Sequence, residues 1–112
     1  MSKKKTKQKS NRLLYDECTT LPKSKGNGQL IRKVSINEDN EITRYSLAYI
    51  NHTICYDDNG RVLGYDNAHD YHHKHDMGNV EPVKFVNFDE IEKRFQKEFE
   101  VLYEKVKKRK KI

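Results

Sequence analysis

Phe88, Ile91, Phe95, Phe99, Leu102 and Val106 recur at intervals of three and four residues. That spacing draws one apolar stripe along a helix over about residues 88–108. Asn87 stands where an N-cap is needed, with Glu90 three residues on in a capping-box arrangement. Asp89, Glu90 and Glu92 occupy the start and basic residues the end, as the helix dipole prefers. A stripe of this kind must be buried against something, and core packing is a plainer use for it than holding a partner. Nothing else in the chain could cover a sheet face, so this one helix calls for one sheet.

Residues 29–67 supply that sheet. Leu30, Arg32, Val34 and Ile36 alternate with Ile31, Lys33 and Ser35, and Asn37-Glu38-Asp39-Asn40 follows as a turn. Residues 42–56 are rich in β-branched and aromatic side chains, with Tyr45, Leu47 and Tyr49 on one face and a bend expected at Asn51-His52. Asp58-Asn59-Gly60 is the strongest turn signal, because Asn-Gly favours the left-handed dihedrals of a two-residue hairpin. Residues 61–66 are then expected to run back along 53–58. Residues 82–86 are a candidate fourth strand, and residues 12–15 read equally as a strand or an adaptor. The expected fold is α+β: a small antiparallel β-meander of three to four strands with a C-terminal amphipathic helix packed on one face.

A chain of 112 residues has room for one domain. We expect a disordered basic arm over 1–11, a single α+β domain over 12–108 and a basic tail over 109–112, with a loop at 21–28. With 34% hydrophobic and 36% charged residues the core must be small, which favours a shallow groove over an enclosed pocket. No apolar run approaches the roughly 18 residues of a membrane span, and no apolar segment follows Met1-Ser2-Lys3-Lys4-Lys5 to make a secretory leader. Cys18 and Cys55 lie far apart and form no CxxC pair, so reduced thiols in the cytoplasm are expected. The charge is uneven. Residues 1–25 hold eight basic and two acidic residues, and 105–112 hold six basic and none acidic. Residues 26–104 hold nine basic and fifteen acidic. Basic ends of this kind attract phosphate backbones without reading sequence, beside the plainer role of solubility.

The chemistry concentrates in one stretch, Tyr65-Asp66-Asn67-Ala68-His69-Asp70-Tyr71-His72-His73-Lys74-His75-Asp76, which holds four of the five histidines. It is expected as a loop leaving the strand after the Asn-Gly turn, a common position for functional residues. Arg61-Val62-Leu63-Gly64-Tyr65-Asp66-Asn67-Ala68-His69, then His72-His73-Lys74-His75, then Glu81-Pro82 and Phe85 before an amphipathic helix resembles the TumE-like toxins of bacterial and archaeal toxin–antitoxin pairs. Tyr45-Ser46-Leu47-Ala48-Tyr49-Ile50 is similar to the family's preceding strand. The resemblance covers about 42–102 and departs at Asp70-Tyr71, where a glycine-containing linker is expected. It implies a small toxin paired with a helix-turn-helix antitoxin, and RNA cleavage as its activity.

Three chemistries suit the cluster. Metal-independent RNA cleavage needs a base for the ribose 2′-OH, an acid for the leaving 5′ oxygen and a cation for the extra charge. Histidine titrates near neutrality, so His69 with His73 or His75 are the candidate base and acid. Lys74 or Arg61 would hold the phosphate, Asp66 would orient a ring, and Tyr65 would donate a hydrogen bond or stack on a base. Asn67 is a further RNA contact or serves its own backbone. This reading requires no cofactor. The alternative is a divalent metal, zinc or manganese, on His69, His73 and His75 with Asp66 or Asp70, since His73 and His75 point to one side of an extended segment. The third is a loop knitted by hydrogen bonds alone. His72, sent to the other side, is a bystander, and His52 a sheet residue. Tyr45, Tyr49, Tyr56 and Tyr65 suit the core better than a base-stacking platform, and Glu98 and Glu100 belong on the solvated side of the helix. A non-enzymatic module docking on antitoxin or nucleic acid is the rival function, and self-pairing into a homodimer is left open.

Overall fold

The computed structural model describes residues 11–22 and 28–110. The basic arm expected over 1–11 lies outside them except for Asn11, as do residues 23–27 of the expected loop and the end of the basic tail. Six strands run in order along one antiparallel sheet: β1 (Arg12–Thr20), β2 (Gln29–Ile36), β3 (Ile42–Ile50), β4 (Arg61–Asp66), β5 (His73–Asp76) and β6 (Asn79–Pro82). Among the described residues one α-helix, α1 (Phe88–Lys110), follows. The meander and the helix agree with the sequence; the number of strands does not. Three to four were expected and six are present.

The extra strands have a common physical cause. β1 is exposed along its whole length and carries no burial alternation for a pattern to show; it pairs with β2 through backbone, with Arg32 of β2 over the Tyr15 ring and beside Glu17. β5 and β6 are short, and β5 is built from His, Lys and Asp, residues that do not announce a strand. The hairpin joining them turns at Met77 and Gly78, whose φ values of 50° and 91° are left-handed. Asp76 pairs with Asn79 across them, so this is the two-residue hairpin of the structure. Of residues 82–86, expected as a fourth strand, only Pro82 is in the sheet, as the last residue of β6; residues 83–86 lie beyond it.

Asn59 and Gly60 do take positive φ, 54° and 81°, but they do not close a two-residue hairpin. β3 ends at Ile50, and Arg61 pairs with Ile50 rather than with residues 53–58. Residues 51–60 instead form a folded loop pinned by Asn51, which is 1% exposed. The Asn51 amide donates to Tyr49 Oη at 2.9 Å, and its oxygen accepts from the Thr53 backbone N–H at 3.0 Å and hydroxyl at 2.6 Å. His52 therefore sits in a loop, packed on Gly60.

α1 begins as expected, with the Glu90 N–H donating to Asn87 Oδ1 at 2.8 Å. Ile91, Phe95 and Phe99 pack on Val34, Tyr45, Leu47, Tyr49, Leu63 and Tyr65 to form the core. Phe99 meets Tyr49 edge-on at 5.1 Å, and Arg32 of β2 pairs with Glu92 of the helix. Glu98 is not simply solvated: it accepts from Tyr65 Oη at 2.7 Å and pairs with Lys74 at 3.2 Å. The helix thus claims one face of the sheet and leaves the other free for a site.

Candidate functional site

The pleat decides which residues meet. Leu63 and Tyr65 of β4, and Lys74 of β5, turn to the helix; Asp66, His73 and His75 turn to the opposite face. Asp66 and His73 are direct cross-strand partners, and His75 stands opposite Gly64. His73 and His75 therefore belong to a strand, not to the loop expected for the whole segment. Their shared orientation, expected from their spacing, is observed.

The two rings converge on one carboxylate. His73 Nε2 lies 2.9 Å from Asp66 Oδ1, and His75 Nε2 lies 3.0 Å from Asp66 Oδ2. Arg61 Nη1 donates to Oδ2 at 3.2 Å and the Ala68 N–H to Oδ1 at 3.0 Å. On their far sides the rings are held too. His73 Nδ1 is 3.1 Å from the Tyr71 carbonyl, and His75 Nδ1 is 2.7 Å from Asp58 Oδ2, delivered by the folded loop. Tyr71 stacks on His73 at 4.5 Å. His73, His75 and Asp66 are all buried, at 4%, 8% and 8% exposure, and of the cluster only Asp66 and Arg61 line a cleft.

That cleft has a volume of about 310 Å³ and is lined by Lys33, Ser35, Arg44, Ser46, Arg61 and Asp66 among others. Lys33 and Arg44 make no ion pair among the described residues. Their charge is available to an anion. Gly64 lets Arg61 reach across: a Cβ there would stand 2.8 Å from Arg61 Cδ. A larger cleft of about 540 Å³ lies on the helix face, with Glu17, Asp89, Glu92 and Glu100 against Arg32, Lys93 and Lys97. Its acidic lining suits an anionic ligand poorly, and it shares no residue with the histidine cluster.

The remaining sequence candidates are elsewhere. His69, at φ 62° on a 3-10 turn, is exposed and lines a neighbouring cleft of about 280 Å³ with Thr43, Arg44, Asn67, Asp70, Tyr71 and His72. Asn67 bridges strands, its oxygen accepting from the Tyr45 N–H and its amide donating to the Thr43 carbonyl, each at 3.0 Å. Tyr65 is fully buried, and burial with the Glu98 hydrogen bond pushes its hydroxyl pKa up. Lys74 pairs with Glu98 on the same helix face. Neither Tyr65 nor Lys74 joins the cluster. His72 stacks on Phe85 at 3.8 Å and lies 2.8 Å from Tyr45 Oη. Burial, then the neighbouring His73, lowers its pKa, while burial and the Asp66 charge push Tyr45 up to about 12.

A family model described as toxin TumE matches residues 29–107. The chain belongs to the TumE toxin family. Membership makes it a toxin of a toxin–antitoxin pair, with an antitoxin as its partner. No curated protein and no solved structure gives a significant match. The matched span of the toxin includes the cluster, both clefts' basic residues and most of the helix, and leaves out β1. No helix among the described residues is long and apolar enough to cross a membrane.

Four residues of the toxin's far sheet face escaped the sequence reading. Lys33 and Arg44 are ordinary polar positions of strands until register places them side by side with Arg61. Asp58 reads as a turn former, and nothing in sequence ties it to His75. Gly64 carried a signal, since a glycine within a strand often marks a close approach.

Proposed function

We propose that this toxin acts on RNA in the cytoplasm, under control of a helix-turn-helix antitoxin. Its working face is the side of the sheet opposite the helix. The observation that supports this is the meeting of three cations with a carboxylate–imidazole cluster: Lys33, Arg44 and Arg61 line the cleft into which Asp66 opens. The cations hold the phosphate backbone, Arg61 and Arg44 with planar forks and Lys33 as a point charge. The phosphate that reacts sits beside Arg61, which steadies the charge gained as an oxygen attacks. The attacking ribose 2′-OH gives its proton to Asp66, the member of the cluster that lines the cleft, as the P–O5′ bond breaks and the leaving 5′ oxygen takes a proton from water. Arg44 also lines the cleft that holds His69, so an RNA strand can pass from one to the other.

Binding of labelled single-stranded RNA to the full chain, followed by anisotropy across salt concentrations, tests this reading. A Lys33→Ala, Arg44→Ala double variant is expected to bind at least tenfold more weakly. Its slope of log affinity against log salt should fall by about 0.7 for each contact removed. Unchanged binding in that variant, with binding lost on removal of the Lys-rich ends, would instead support the rival docking module.

A further inference from the structure

We propose that Asp66, His73 and His75 form a site for one divalent first-row cation of the zinc or manganese kind, bound through both Nε2 atoms and a carboxylate oxygen. The site stands on its own geometry; its use in RNA cleavage rests on the reading above. Ligand atoms of the three residues lie within 4.8 Å of one another, and all three residues are buried.

Two independent features point to a cation. The first is how the rings are held from behind. A carbonyl and a carboxylate only accept hydrogen bonds, so Tyr71 and Asp58 fix the ring proton on each Nδ1. Each ring then turns Nε2 toward an Asp66 oxygen, at 2.9 and 3.0 Å, a gap that a second ring proton or a cation closes. An Nε2 without a proton and a carboxylate oxygen repel at that distance unless a cation lies between them. Imidazoles tethered through the other nitrogen to a carbonyl or carboxylate are the usual outer arrangement of metal-bound histidines.

The second is charge and size. Two carboxylates, Asp58 and Asp66, stand against the single guanidinium of Arg61. Zinc bonds of about 2.0–2.2 Å place tetrahedral ligand atoms about 3.3 Å apart; each Nε2 lies 2.9 or 3.0 Å from an Asp66 oxygen, and the ligand atoms all lie within 4.8 Å of one another. A set of two nitrogens and one oxygen with no thiolate suits zinc or manganese. Arg61 and the Ala68 N–H each take one lone pair of an Asp66 oxygen and leave others for the cation. His69 contributes nothing to this set.

Untagged full-length protein, stripped with chelator and dialysed against Zn²⁺ or Mn²⁺, provides the test. Metal is counted by mass spectrometry, and Co²⁺ is added as a visible probe. One equivalent per folded chain is expected for the wild type. Asp66→Asn, His73→Gln and His75→Gln should each weaken binding at least a hundredfold, and Asp58→Asn about 10–100-fold. His52→Ala and His69→Ala should keep the full equivalent. Because a ligand variant can fail to fold, ¹⁵N spectra of the wild-type imidazoles supply a second readout: metal should move the Nε2 signals of two rings only. No binding by the folded wild type overturns the proposal, as does metal retained in the folded ligand variants; the cluster is then closed by added ring protons. A protein that binds one metal but no RNA keeps this site and loses the RNA reading. RNA binding without any metal does the reverse.

Discussion

Gly64 shapes the far face of the sheet by having no side chain. Its would-be Cβ lies 2.8 Å from Arg61 Cδ and 3.1 Å from the Leu47 carbonyl. Gly64→Ala should therefore push Arg61 off Asp66, weakening RNA binding severalfold at a stability loss of about 1 kcal/mol, measured by anisotropy and denaturant melts. Asp66 is the residue on which most contacts depend. Asp66→Ala leaves two ring nitrogens and a guanidinium facing a void, and should cost about 3–5 kcal/mol in chemical denaturation, as breaking a buried ion pair does. Asp66→Asn keeps the volume and should cost less. At this scale His73, His75 and Asp66 were legible, since alternation alone puts the two histidines on one side. The partners that define their chemistry were not. Asp58 is seventeen residues from His75 in sequence and arrives only because a loop folds back. Tyr65 and Lys74, adjacent in sequence to that set, are carried to the other face by the same alternation.

The loop over residues 51–60 is the element that connects fold to site. Asn51 holds its backbone from within, and Asp58 at its far end meets both His75 and Arg61. Asn51→Ala removes three hydrogen bonds, one buried and two part-buried. It should destabilise the fold by about 1–3 kcal/mol and also loosen metal binding, although Asn51 touches none of the ligands. Calorimetric titration with Zn²⁺ on the folded variant checks the second effect. The helix behaves differently, because it packs on the opposite face. Phe99→Ala, which removes the ring set edge-on against Tyr49, should cost about 3–5 kcal/mol in denaturant melts while the metal stoichiometry of the remaining folded protein stays unchanged. Helix and central strands were legible because each buries one periodic face. The loop was not, because its order comes from the Asn51 amide and from local backbone hydrogen bonds, which leave no periodic pattern. β1, β5 and β6 were not: β1 and β6 are exposed along their length, and β5 buries histidines rather than apolar side chains.

Across the whole molecule the sheet divides labour between its faces. One face is aromatic and buries Tyr45, Tyr49 and Tyr65 beneath the helix; the other is charged and open. Burial raises all three tyrosine pKa values above the usual 10, Tyr45 to about 12. A raised folded pKa means the native state keeps its proton where the unfolded chain loses it. Stability from these groups is complete below pH 10 and falls as pH rises from 10 toward 12. Phenolate absorbance should accordingly show three of the seven tyrosines silent until the protein unfolds. The open face carries the central claim, that Asp66 with His73 and His75 is where the toxin acts on RNA. The most direct measurement is cleavage of single-stranded RNA by purified full-length protein, wild type against Asp66→Asn, with folding of both confirmed by circular dichroism. The account predicts cleavage by the wild type and a loss of at least a hundredfold in the variant. A folded Asp66→Asn protein that cleaves RNA at the wild-type rate would contradict it.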